Sequence, residues 1–195
     1  MTTHDFGDGH PVPAHRHRNP DGSLGGWVAE TATVAPTAYV GDRACVYDDA
    51  RVIDDARVRG RAQVSGAAQV SGTAWVSDNA RVHGHARVSD DAWVYGHARV
   101  SDDAWVYGHA SVCGHARVSD TAWVYDHALV CGAARVRDDA WVSGRAWVYG
   151  RALVCDDAWV TEYARVGDKS LVSADSRVGG DALVRGRAIV GGVVS

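Results

Sequence analysis

One residue type recurs at every sixth position through almost the whole chain. From Val28 onward each sixth residue is Val as far as Val190, which makes 28 consecutive positions without an exception. A small residue precedes each of these valines by two positions, and it is Ala in 25 of the 28 cases. Most positions two residues after the valine are Gly or Asp. A repeat this short and regular restricts the chain to an array of similar small units.

The spacing within each six-residue unit predicts a short strand followed by a turn. Side chains two positions apart in a strand point to the same side, so Ala and Val face one interior while the residue between them faces outward. Gly and Asp tolerate backbone conformations that other residues resist, so the chain turns there. A period of six matches neither the α-helix nor the heptad. We therefore predict an all-β coil with a narrow interior of Ala and Val.

The unit Ala-x-Val-x-(Gly/Asp)-x resembles the motif of hexapeptide-repeat proteins. The resemblance covers residues 26–192. It implies a single-stranded left-handed parallel β-helix with three hexapeptides per coil, which gives a β-solenoid of about nine coils. The segment NPDGSLGGWVAETATV, residues 19–34, is also similar to the start of bacterial and phage-borne hexapeptide-repeat proteins. In such a fold, residues 18 apart lie on neighbouring coils about 4.8 Å apart.

The first 25 residues fall outside the repeat. The sequence NPDG at residues 19–22 is a turn signal between short polar flanks. Solenoids need their end coils covered. We therefore predict that residues 1–25 form a mobile N-terminal tail and a capping turn, and that residues 26–195 form the β-helix domain.

Charge and composition argue against several classes of partner. The formal net charge is −4 at pH 7, which does not favour nucleic-acid binding. No apolar run approaches the roughly 18 residues of a membrane helix, and the first residues lack the apolar stretch of a secretory signal. We therefore expect no membrane or nucleic-acid partner and a cytoplasmic location. The four cysteines are too sparse for a disulfide scaffold and are expected to be reduced.

Aromatic residues concentrate at one position of the unit. All eight tryptophans occupy the outward position before a repeat valine. Four of them recur at intervals of 18 residues and therefore share one face of the predicted coil, with Tyr and His following the first two. The candidate binding residues on this face and its next corner are Trp105, Tyr107, His109, Trp123, Tyr125, His127, Trp141 and Trp159.

The aromatic face has three interpretations. Monomers rarely expose large apolar patches, which favours a protein interface, either in a homo-oligomer or with a different protein. Stacked aromatic side chains also stabilise a flat sheet that has no partner. The third interpretation is stacking on sugars or nucleobases. We favour the interface.

Charged residues form two further columns at the same interval of 18. The arginines are Arg81, Arg99, Arg117 and Arg135, and the aspartates at the following corner are Asp102, Asp120, Asp138 and Asp156. We favour a solvated face with turn-forming Asp, in which each column screens the other. Calcium binding along the Asp column is the alternative, because carboxylate oxygens are calcium ligands, although no known calcium-repeat signature is present.

Catalytic chemistry finds little support in the residues. The resemblance implies acyltransferase activity for many hexapeptide-repeat proteins, with a His as general base and coil-interrupting loops that shape an acyl-donor pocket. This chain has ten histidines, but its period is never interrupted, so no segment is available to build a pocket. The zinc sites of the related γ-class carbonic anhydrases need three convergent His, whereas the stacked pairs predicted here supply two.

The sequence therefore predicts a non-catalytic, rigid β-solenoid that presents an aromatic face for protein–protein association. A phage-encoded inhibitor of a host protein is one form that this function could take. We predict no catalytic residue, no metal and no cofactor. The alternative is an acyltransferase-like hexapeptide-repeat enzyme with a site between subunits.

Overall fold

A computed structural model describes residues 2–194 as an all-β solenoid without a helix. Each of the 28 hexapeptides from residue 26 onward contributes one strand, and successive strands fall in turn on three sheets. We call these sheets the first, second and third faces. The described residues accordingly include no helix that could cross a membrane.

The strands are short and evenly spaced on all three faces. The first face consists, in spatial order, of β1 (Thr3–His4), β2 (Val12–Arg18), β3 (Leu24–Ala29), β6 (Cys45–Val46), β9 (Gln63–Val64), β12 (Arg81–Val82), β15 (Arg99–Val100), β18 (Arg117–Val118), β21 (Arg135–Val136), β24 (Leu153–Val154), β27 (Leu171–Val172) and β30 (Ile189–Val190). The second face consists of β4 (Thr33–Val34), β7 (Arg51–Val52), β10 (Gln69–Val70), β13 (Arg87–Val88), β16 (Trp105–Val106), β19 (Trp123–Val124), β22 (Trp141–Val142), β25 (Trp159–Val160), β28 (Arg177–Val178) and β31 (Val193–Val194). The third face consists of β5 (Tyr39–Val40), β8 (Arg57–Val58), β11 (Trp75–Val76), β14 (Trp93–Val94), β17 (Ser111–Val112), β20 (Leu129–Val130), β23 (Trp147–Val148), β26 (Arg165–Val166) and β29 (Leu183–Val184).

The register confirms a coil of three hexapeptides. Val82 pairs in parallel with Val100, 18 residues later, and Val112 pairs in the same way with Val130. The predicted all-β class and the predicted number of coils, about nine, are therefore confirmed by the pairing at an 18-residue interval. The residues that share a face are those that the period of 18 placed together.

The interior is a column of small side chains, as the pattern predicted. Ala110, Val112, Ala128 and Val130 are each 0% exposed, and most of the other repeat Ala and Val residues belong to the same buried cluster. Burying a valine contributes roughly 1.5–3 kcal/mol relative to leaving it in water. Because Ala and Val fill most of the interior, with Ser170 and Ser176 at the Ala position near the C-terminal end, the three sheets lie close together.

The corners explain why Gly and Asp alternate in the repeat. Asp126 has a φ of 57° and Gly108 a φ of 67°, which is the left-handed region that Gly and Asp tolerate best. A corner carboxylate also accepts a hydrogen bond from the backbone of the next coil: Asp126 Oδ2 lies 3.1 Å from the amide nitrogen of Gly144. Asp thus supplies both the turn conformation and a bond between coils.

Secondary structure begins earlier than the repeat does. Within the segment predicted as a tail and capping turn, β1 pairs antiparallel with β2, and β2 pairs antiparallel with β3. The turn at residues 19–22 closes β2 onto β3, and Asn19 Oδ1 accepts a hydrogen bond from the Val40 amide at 2.8 Å. His17 Nε2 lies 3.1 Å from the carbonyl oxygen of Ala38. The backbone groups at this end of the first coil have no preceding coil to pair with. The contacts from Asn19 and His17 supply some of the missing hydrogen-bond partners and so cap the coil.

Candidate functional site

Four tryptophans form a continuous stack on the second face. Each occupies the outward position of its strand, between the buried Ala and the buried Val. The ring centroids of Trp105 and Trp123 lie 5.0 Å apart, those of Trp123 and Trp141 5.1 Å, and those of Trp141 and Trp159 4.9 Å. The interplanar angles are only 2–4°. The spacing of the coils therefore sets the spacing of the rings. We call this stack the indole ladder.

An arginine closes the ladder at each end. The guanidinium carbon of Arg87 lies 4.7 Å from the ring centroid of Trp105, and that of Arg177 lies 5.1 Å from the ring centroid of Trp159. A guanidinium group over an indole contributes about 0.5–1 kcal/mol at an exposed site. Each terminal ring face is thus covered by a cation, and the ladder presents ring edges to solvent.

Two tyrosines lie beside the N-terminal half of the indole ladder. Tyr107 and Tyr125 stack at 5.1 Å with an interplanar angle of 2°. They meet the indoles edge-on, since the Tyr107 centroid lies 6.0 Å from that of Trp123 and the Tyr125 centroid 6.2 Å from that of Trp141. Burial raises the pKa of the Tyr107 hydroxyl, so this group is a neutral donor at physiological pH. The tyrosines widen the aromatic surface to two columns.

The two histidines at the next corner stack in the same way. The rings of His109 and His127 lie 4.9 Å apart with an interplanar angle of 8°, and His109 Nδ1 lies 3.5 Å from Asp91 Oδ2. Beside them a groove of about 460 Å³ is bounded by the same histidines, Arg145 and Tyr163. The structure thus brings all eight residues predicted for the site onto one face and its following corner.

Continuity distinguishes this surface from the other tryptophans. On the third face, Trp75 and Trp93 stack at 5.5 Å with a 16° tilt, and the next coil then has Ser111 at the equivalent position. Trp93 is consequently 49% exposed, whereas the first three rings of the indole ladder are half-buried. The ladder is therefore a continuous surface of four stacked rings, whereas the third face carries one stacked pair and Trp147 apart from it.

The charged columns lie where the sequence placed them. Among residues 2–194, the column arginines of the first face, Arg81, Arg99, Arg117 and Arg135, form no ion pair with a carboxylate. The corner aspartates bond to the backbone of the next coil: Asp120 Oδ2 accepts a hydrogen bond from the Asp138 amide at 3.3 Å, and Asp138 Oδ2 accepts one from the Asp156 amide at the same distance. One oxygen of each carboxylate is thereby occupied, which weakens the calcium interpretation.

Potential metal ligands come together at one point of this corner. Single donor atoms of Asp138, Cys155 and Asp156 lie within 4.8 Å of one another. The Asp138 carboxylate also lies 3.3 Å from the guanidinium of Arg137, and Asp156 accepts a bond from the Ala174 amide at 2.9 Å. These carboxylates therefore act first as links between coils.

One stretch of the repeat is similar to a known family of solenoid repeats. A family model described as YdcK Beta solenoid repeat matches residues 92–108, a stretch that includes Trp93, Trp105 and Tyr107. A search of curated proteins found no match. Together with the stacked parallel sheets, the matched repeat shows that the chain is a β-helix repeat protein.

Proposed function

We propose that this protein is a non-catalytic, rigid solenoid whose second face associates with protein, and that the first partner is a second copy of the chain. The observation that carries the proposal is the indole ladder with an arginine at each end. Trp, Tyr and Arg are the residues that contribute most to protein interfaces. Because the rings already hold one another in place, they lose little side-chain freedom on binding.

The order of residues along the ladder favours a symmetric partner. From Arg87 to Arg177 the outward residues read Arg, four Trp and Arg, which is the same in both directions. A two-fold axis that lies in the interface, parallel to the strands and midway between Trp123 and Trp141, would exchange the two ends. Two-fold dimers use one self-complementary patch in this way.

The tyrosine column complements itself under the same axis. Tyr125 would face Ser143 of the second copy, and Tyr107 would face Thr161. Ser143 is only 6% exposed, so the surface is recessed where the opposing tyrosine would project. The column beside the indole ladder is bulky in its first two coils, with Tyr107 and Tyr125, and small in the next two, with Ser143 and Thr161. The bulky half of one copy meets the small half of the other only when the two solenoids run in opposite directions.

The area that the indole ladder can bury between two copies predicts a weak dimer. Six coils span about 24 Å and one side of a coil about 16 Å, so the ladder alone buries roughly 400 Å² on each chain. Stable interfaces bury about 800 Å² on each partner. At one rim the exposed Asp103 would lie opposite Asp157, and their like charges repel. We therefore expect concentration-dependent association that strengthens as salt screens this rim.

Sedimentation equilibrium over a wide concentration range tests the proposal. Replacing Trp123 and Trp141 with Ser should abolish the dimer, while the matched pair Trp75→Ser and Trp93→Ser on the third face should leave it unchanged. A wild-type chain that stays monomeric at millimolar concentration, or a dimer that survives the second-face double substitution, contradicts the proposal. Circular dichroism of each variant establishes that the solenoid is intact.

We also infer that the coil is left-handed and that the chain is a hexapeptide-repeat protein in the stricter sense. The uninterrupted unit and the three-strand coil support this inference. The acyltransferase alternative requires an acyl-donor site. Equilibrium dialysis with acetyl-coenzyme A tests it, and saturable binding would favour an enzyme over the association module proposed here.

A further inference from the structure

Two of the four cysteines lie side by side on the third face, away from the indole ladder. Cys113 directly follows β17 and Cys131 directly follows β20, which are paired strands of adjacent coils. The Cys113 amide donates to the Val130 carbonyl at 2.9 Å. Adjacent coils hold the two Cα atoms about 4.8 Å apart, which is within the range found in disulfides. Both side chains are half-exposed, so solutes can reach them.

Aromatic side chains supply hydrogen bonds to both sulfurs. The Trp147 indole N–H donates to Cys131 Sγ at 3.2 Å. Cys113 accepts bonds from the Cys131 thiol and from the Tyr95 hydroxyl of the preceding coil. Tyr149 is the next residue in this column. Its ring lies over Gly167, on the side away from the two cysteines, where any added Cβ would collide with it.

These bonds make the two thiols unequal. The bond from the Cys131 thiol, assisted by the Tyr95 hydroxyl and opposed by burial, lowers the pKa of Cys113 to about 6. The same bond raises the pKa of Cys131. Burial raises the pKa of Cys45 and of Cys155. Of the four cysteines, Cys113 therefore has a lowered pKa, and its neighbour Cys131, like Cys45 and Cys155, has a raised one.

We propose that Cys113 and Cys131 form a two-electron oxidation site for hydrogen peroxide or an organic hydroperoxide, and that the product is a disulfide joining adjacent coils. The thiolate is the nucleophile in such reactions. Two thiolates are fewer than the three or four ligands that zinc needs, so oxidation rather than zinc binding is the chemistry that this pair supports within one chain.

The reaction balances within the pair. The Cys113 sulfur attacks one peroxide oxygen, the O–O bond breaks, and the departing oxygen takes up a proton to leave as water or an alcohol. Cys113 is then a sulfenic acid. The Cys131 sulfur gives up its proton and attacks the Cys113 sulfur; the S–S bond forms, the S–O bond breaks, and the second oxygen leaves as water. Two thiols are oxidised and one peroxide is reduced.

The pH dependence of alkylation tests the thiolate. Iodoacetamide should modify Cys113 with a midpoint near pH 6 in peptide maps of the full chain. At pH 6 its rate should exceed that of an ordinary exposed thiol by about tenfold, since the larger thiolate fraction outweighs the lower nucleophilicity of a weakly basic sulfur. Cys131→Ala should move the midpoint upward, Cys131→Ser should restore part of the shift because its hydroxyl can also donate, and Cys45→Ala should change nothing.

Peroxide treatment tests the second step. In the Cys45→Ala, Cys155→Ala variant, a small excess of hydrogen peroxide should lower the intact mass by two hydrogens and give a peptide in which Cys113 and Cys131 are joined. A dithiol reductant should reverse the change. With Cys131→Ala added, a sulfenic acid at Cys113 should instead react with dimedone. The proposal is overturned if Cys113 is alkylated no faster than Cys45 at pH 6, or if peroxide yields no joined peptide.

Discussion

The second and third faces share one core, one register and one strand length, yet they present different surfaces. Three of the eight tryptophans lie on the third face, at Trp75, Trp93 and Trp147. They are interrupted by Ser111 and Leu129, and Trp147 is 39% exposed. On the second face, four occupy successive coils and stack within 4° of parallel. Continuity at an interval of 18 residues, rather than tryptophan content, creates an ordered aromatic surface.

This comparison separates what each part of the hexapeptide does. The Ala and Val positions specify the fold on every face alike, because their side chains are all inside. The outward position is free of that constraint, so its chemistry can vary without altering the coil. A twelve-residue duplication, such as Ala86–His97 repeated at Ala98–His109, preserves the fold and moves an aromatic residue to a different face.

The largest expected effect comes from the shared core. Ala110→Leu lies behind the third face and Ala122→Leu behind the second, and both sites are 0% exposed. Each substitution adds a bulky side chain at a fully buried Ala position and should destabilise the chain by about 3 kcal/mol, the upper end for such changes. Thermal melting of the two variants should give similar shifts. A large difference between them would show that the faces do not share one core.

Breaking the two stacks should have unequal effects. Trp123 contacts an indole on each side, at 5.0 and 5.1 Å, whereas Trp93 contacts one, at 5.5 Å. An aromatic pair contributes about 0.5–1.5 kcal/mol beyond its buried area. Trp123→Ser should therefore cost about 2 kcal/mol and Trp93→Ser about 1 kcal/mol. Chemical denaturation of both variants measures the ratio, and equal losses would mean that the ladder has no cooperative order.

The sequence predicted the faces better than the contacts within them. The period of 18 placed Trp105 above Trp123 because backbone register alone decides which residues are neighbours. It could not predict that the Trp147 indole turns toward Cys131, since that contact joins residues 16 apart and depends on side-chain rotamers. The bond from Gly144 to the Asp126 carboxylate was missed for the same reason: Asp at a turn has a local explanation, and its role between coils appears only in three dimensions.

Filling the gap on the third face should make it resemble the second. Ser111 lies between Trp93 and Leu129 in the register, so Ser111→Trp should place an indole on the exposed ring of Trp93. We expect a gain of about 1 kcal/mol from the new pair, together with a stronger exciton signal from stacked indoles in circular dichroism. Ser111→Leu adds apolar area without a ring and serves as the control. An equal gain in both variants would assign the effect to burial rather than to stacking.

The smallest expected effect concerns the cations that end each stack. Arg177 lies 5.1 Å from the Trp159 centroid, while on the third face Arg165 lies 6.0 Å from that of Trp147, at the limit for a cation–π contact. Arg177→Gln should therefore lower the melting temperature by the equivalent of about 0.5 kcal/mol, and Arg165→Gln by less. The attraction needs the positive charge, so Arg177→Lys should retain part of it. If Arg177→Gln and Arg165→Gln lower the melting temperature equally, the arginine that covers the last ring of the indole ladder adds no stability of its own. The arginines at the two ends would then matter only for what the face binds.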